Sequence, residues 1–144
     1  MRRRRGFTLV ELAFVLAVLS ILVGISVPGY QQVLRYARTS EARSMVQALH
    51  HAELVYQRDH GAALECLAPA AEPIPLTAVP FAARPCWKAL GFKIEGVVRY
   101  RYQVKQTAAG FDVIAEGDLD GDAVHSTFTL SSQTLKLTTE NELE

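Results

Sequence analysis

The chain has 144 residues, 49% of them hydrophobic, with 15 basic and 15 acidic side chains. That length holds one domain plus a membrane segment. The charge balance leaves no overall basic field of the kind that captures nucleic acid, and no Gly-rich phosphate loop, Cys/His pair in register or zinc-ligand spacing marks an enzyme.

The first predicted element begins behind Arg2, Arg3, Arg4 and Arg5, where an apolar run from Phe7 to Val27 extends for 21 residues. A helix needs about 20 such residues to span a bilayer. The arginines place the N-terminal end in the cytoplasm by the positive-inside rule, so the rest lies beyond the inner membrane. A secretory signal is the rival reading, but the run is too long for a signal core. No small-x-small cleavage site closes it before Pro28-Gly29-Tyr30. Inside the run stands Glu11. A carboxylate there costs several kcal/mol unless it is paired, neutralised or near the headgroups, which makes it a functional candidate.

The stretch Gly6-Phe7-Thr8-Leu9-Val10-Glu11 resembles the processing site of type IV pilins and pseudopilins. The resemblance is specific there, reaches Pro28, and loosens to one of layout beyond about His60. It implies cleavage between Gly6 and Phe7 by a prepilin peptidase, methylation of Phe7, and a role for Glu11 in filament entry. It also implies an α+β fold: a long N-terminal helix whose C-terminal half packs on a small antiparallel sheet. With the leader arginines removed, 11 basic side chains face 15 acidic ones, a formal −4.

After the apolar run, Pro28 ends or kinks the helix. The helical pattern then resumes. Tyr30, Leu34, Ala37, Ala42, Met45, Leu49, Ala52 and Tyr56 form one apolar face, and Gly61 stands where a C-terminal cap belongs. The reading is one helix from Phe7 to His60, kinked at Pro28. It would be roughly 80 Å long. Residues 7–28 form its lipid or filament-core half and 29–60 its amphipathic half. The pairs His50-His51 and His50/Glu53 have no evident third metal ligand nearby, adjacent histidines on a helix point in different directions, and all three read as solvated helix surface.

Residues 61–96 form a Pro-rich loop, with Pro69, Pro73, Pro75, Pro80 and Pro85 inside 17 residues, and regular structure is not expected through its middle. Cys66 and Cys86 bracket it, and an oxidising periplasm favours their disulfide over two free thiols. Closing a loop of about 20 residues contributes on the order of 3 kcal/mol. Many pilins close a loop nearer the C-terminus, so the adhesive roles of that loop are not carried over. Phe81, Trp87 and Phe92 can anchor the loop to the domain.

Residues 97–144 read as an antiparallel sheet and an acidic tail. Val98, Tyr100, Tyr102 and Val104 alternate with Arg99, Arg101, Gln103 and Lys105, the period of a half-buried strand with a basic, solvated outer stripe. Further strands are expected at Phe111–Ala115, Thr127–Leu130 and Leu135–Thr138, and the tail from Glu140 is expected to be mobile. Asp118, Asp120 and Asp122 alternate around Gly121, like the opening of an EF-hand calcium loop. Ala123 and Thr129 then break that pattern, so a plain turn and a calcium site both stand.

The sequence therefore implies a pilus subunit, not an enzyme, that is assembled from the inner membrane into a helical filament for attachment, twitching motility or DNA uptake. Its expected partners are identical or related subunits, the prepilin peptidase and methyltransferase, the inner-membrane assembly machinery and membrane lipid. No cofactor is expected beyond the calcium reading. The alternatives are a pseudopilin of type II secretion and a membrane-anchored periplasmic binding module that never polymerises.

Overall fold

The structure, a computed structural model, describes residues 6–69, 72–81 and 84–142. It is α+β, a long helix with antiparallel strands, as expected. The chain divides into two units, Met1–Leu34 and Arg35–Glu144.

Helix α1 spans Leu9–His60 and runs through both units, so Pro28 lies within it rather than ending it. Its start is fixed by Thr8 and its end by Gly61. The Gly61 N–H donates to the Gln57 carbonyl at 2.7 Å, and its φ of +81° is the left-handed conformation that glycine adopts at a helix C-terminus without steric cost. In the apolar first unit, the hydroxyls of Ser20 and Ser26 donate back to the carbonyls of Leu16 and Leu22 at 2.8 and 2.7 Å. Both side chains thus satisfy their polarity within the helix, a requirement in a low-dielectric solvent.

In the second unit, α1 buries Thr39, Ala42, Val46, Leu49, His50 and Glu53, a stripe at helical spacing. Facing this stripe is a four-stranded antiparallel sheet of β3 (Arg101–Thr107), β4 (Gly110–Gly117), β5 (Ser126–Ser131) and β6 (Leu137–Glu140), in that spatial order. Tyr102 and Val104 on β3, Phe111, Val113 and Ala115 on β4, and Phe128 and Leu130 on β5 complete the buried core. Alternate residues of each strand point away from it, as the period-two pattern requires.

The first predicted strand is divided. Val97–Val98 forms β2, Arg99 and Tyr100 make a bend, and β3 starts at Arg101. The break has a cause on α1: Glu41 accepts from the Arg99 backbone N–H at 2.8 Å and from its guanidinium at 3.2 Å. Gly117 permits the same bend, because a Cβ there would stand 2.6 Å from the Tyr100 ring. The fourth strand lies at Leu137–Glu140, two residues later than the pattern suggests.

The Pro-rich segment holds more regular structure than its composition implies. β1 (Val79–Pro80) pairs with β2, and α2 (Pro85–Ala89) begins on a proline. Both prolines sit where a missing N–H is tolerated, one on a two-residue strand and one in the first turn of a helix. Cys66 and Cys86 are joined by a disulfide, and the Cys66 backbone exchanges two hydrogen bonds with Val104, each 2.9 Å. Arg84 pairs with Glu72, and Arg101 donates to the Glu72 carbonyl at 2.6 Å. The segment is thus fastened to β3 from several directions.

Two other expectations are corrected. The basic stripe is largely neutralised: Arg101 contacts Glu116 at 2.7 Å and Arg99 contacts Glu41, leaving Lys105 as the exposed member. The tail is held over its described part, because Glu140 pairs with Thr127 in the sheet and Glu142 forms an ion pair with Arg43. Its last two residues lie outside the described ones.

Candidate functional site: the N-terminal segment

Arg2 to Arg5 lie outside the described residues. From Gly6 onward the geometry is defined. Thr8 and Glu11 form a capping box at the start of α1. The Glu11 N–H donates to the Thr8 hydroxyl oxygen at 3.2 Å, and the Thr8 N–H donates to Glu11 Oε2 at 3.4 Å. Two backbone donors that a helix start leaves orphaned are satisfied reciprocally. Glu11 stands out by its charge in an apolar run, whereas Thr8 is recognisable only through the Thr-x-x-Glu spacing ahead of that run.

Every side chain described between Gly6 and Val27 is exposed, Phe7 to 77%. An 18-residue window of α1 has a mean hydropathy of 2.6, long and apolar enough to cross a membrane. Surface of this kind is unfavourable in water, at roughly 25 cal/mol per Å². The segment therefore calls for lipid or protein around it. Gly6 and Phe7 precede the helix, so the bond between them is not engaged in helical structure.

The other predicted residues lie elsewhere. Asp118, Asp120 and Asp122 offer carboxylate oxygens within 4.8 Å of one another. Each already has a partner. Buried Asp118 accepts from the N–H groups of Gly121 and Ala123 at 2.7 and 3.2 Å, Asp120 contacts Arg35 at 3.2 Å, and Asp122 accepts from the Val124 N–H at 2.7 Å. The turn is thus closed by its own backbone and one arginine. Carboxylate lone pairs remain for a cation, but one would have to compete with Arg35.

His50 and Glu53 are buried, which corrects their reading as solvated surface. Glu53 Oε1 accepts from the Leu64 N–H, and so ties the segment after α1 back onto the helix. Glu53 Oε2 and His50 Nε2 have no hydrogen-bond partner among the described residues. Burial raises the Glu53 pKa above its ordinary 4.5, opposed in part by the Leu64 bond. Burial, with a smaller contribution from His51, lowers the His50 pKa below its ordinary 6.5.

Against this geometry, residues 1–27 match the family model described as the prokaryotic N-terminal methylation motif. The chain is 41% identical over 49 residues to a fimbrial protein of Moraxella nonliquefaciens, covering 34% of this chain and 32% of that protein. It is 36% identical over 58 residues to the type IV major pilin PilE1 of Neisseria gonorrhoeae, covering 40% and 35%. It is 39% identical over 51 residues to the type IV major pilin PilA of Myxococcus xanthus strain DK1622, covering 35% and 23%. The chain thus spans about a third or less of the length of these relatives. No solved structure matches it. Over its N-terminal segment the chain thus carries the prokaryotic N-terminal methylation motif and is similar to type IV pilins.

Proposed function

We propose that this chain is a structural, non-catalytic subunit of a type IV pilus. It is made as an inner-membrane precursor, cleaved between Gly6 and Phe7, methylated on Phe7 and assembled with like subunits into a filament. The observation that carries this reading is the methylation motif at residues 1–27 on a helix whose apolar side chains are all exposed there. Lipid covers that surface first, and neighbouring helices cover it after assembly. The domain lies on the periplasmic side, because the leader arginines hold the N-terminus in the cytoplasm. Peptidase, methyltransferase and assembly machinery belong to the same proposal.

Glu11 has the central role. Cleavage before Phe7 creates an amino group four positions before Glu11 in the chain, to pair with Glu11 of the same or an adjacent subunit. Opposite charges a few Å apart attract far more strongly in a filament core than in water, which offsets the cost of burying them. Only Oε2 of Glu11 is engaged by Thr8, so the carboxylate keeps a second oxygen for this amino group. The test is to shear cells and look for the chain in the released fibres, with Glu11→Val alongside. The wild type enters fibres, whereas the variant inserts and is cleaved but is strongly depleted from them. Normal fibre entry by Glu11→Val would overturn the role of Glu11, and absence of the wild type from fibres would overturn the pilus assignment.

A further inference from the structure

Beside α2 lies a hollow of about 440 Å³ whose lining residues all lie outside the N-terminal segment. Its size falls in the usual range for small-molecule sites, roughly 300–1,000 Å³. Phe81, Trp87, Phe92 and Ile94 form its apolar lining, and Lys88 and Lys93 stand with them. We propose that this hollow binds a small organic anion, an aromatic or short aliphatic body bearing one carboxylate.

The charge pattern selects the ligand. No carboxylate lines the hollow among the described residues. Arg84 also lines it, but its charge is spent on Glu72, and its guanidinium lies 5.7 Å from the centre of the Trp87 ring. Lys93 meets Glu95 in a surface pair with both side chains about four-fifths exposed, an arrangement that water largely screens. Lys88 is exposed and has no ion-pair partner among the described residues. An apolar surface beside two weakly committed ammonium groups complements a molecule that is apolar at one end and anionic at the other.

The hollow is also pre-organised, which lowers the cost of binding. The disulfide fastens α2 to Cys66, which is itself bonded to β3. The Phe92 N–H donates to the Trp87 carbonyl at 2.8 Å, and the turn between them passes through Gly91 at φ +67°. Ring centres of Phe81, Trp87 and Phe92 stand 5.9 to 6.3 Å apart, so the aromatic lining is held by its own edge and tilted contacts.

Trp87 is the sole tryptophan of the chain, so its fluorescence reports this site alone. The experiment uses the full chain in phosphatidylcholine vesicles, titrated separately with phenylbutyrate, phenylbutanol and phenylbutylamine. Phenylbutyrate is expected to change Trp87 emission saturably, at lower concentration than the alcohol, and the amine is expected to bind most weakly. Lys88→Glu combined with Lys93→Glu is expected to weaken the phenylbutyrate response about tenfold while leaving the unliganded emission spectrum unchanged. Absence of saturation with phenylbutyrate would overturn the site. Equal binding of the amine, or an unchanged affinity in the double variant, would overturn the anionic class.

Discussion

Thr8 and Glu11 cap each other at the start of α1, each backbone N–H meeting the other's side-chain oxygen at 3.2 to 3.4 Å. The carboxylate proposed above to serve assembly is therefore also part of the device that begins the helix. Thr8→Ala is expected to cost about 1 kcal/mol at the helix start, and Thr8→Ser to cost little. Amide hydrogen exchange of the full chain in lipid vesicles reads this directly. First-turn amides of Thr8→Ala should exchange about fivefold faster than those of the wild type. Equal protection in the two proteins would show that the hydroxyl is idle.

The disulfide anchors a segment with little sheet structure of its own. Cys66→Ser with Cys86→Ser is expected to lower stability by about 3 kcal/mol, because the unfolded chain regains the freedom of the closed loop. Urea unfolding with and without a reductant checks this. The wild type in reductant should approach the variant, and reductant should leave the variant unchanged.

Glu53 and His50 give stability two opposed pH dependences. The folded pKa of Glu53 is raised, so its contribution is full below about pH 4.5 and lost as pH rises through the raised value. The folded pKa of His50 is lowered, so its contribution is full above about pH 6.5 and lost as pH falls through the lowered value. Glu53→Gln should flatten the decline on the alkaline side, and His50→Gln the decline on the acid side. Thermal unfolding of both variants and the wild type from about pH 4 to about pH 8 tests the signs. A Glu53→Gln curve parallel to the wild type would show that the carboxyl is not desolvated in the folded chain.

The acidic turn is expected to hold its shape without a cation, since each of its three carboxylates has a partner in the chain. Calcium at about 1 mM, where weak extracellular sites bind, should leave the melting temperature of the wild type unchanged. Arg35→Ala, which removes the competitor at Asp120, is the more sensitive background. A calcium-dependent rise there that disappears on further substitution of Asp120→Ala would establish a calcium site.

The sequence by itself determined the N-terminal segment, because each signal there is local. A run of arginines, an unbroken apolar stretch and one misplaced carboxylate keep their meaning whatever the rest of the chain does. The alternation in β4 and β5 was legible for the same reason: one face of each strand is buried over its whole length. Tertiary structure decided what depends on partners distant in sequence. Arg99 leaves the strand because Glu41, on α1, satisfies its backbone and its charge. Glu53 is buried because the Leu64 N–H needs an acceptor where the chain turns back on the helix. Trp87, Phe81 and Phe92 surround a hollow because the disulfide and a short two-stranded sheet fold a Pro-rich stretch around α2. A side chain's hydropathy sets the cost of burying it, but only the folded chain supplies the partner that meets that cost.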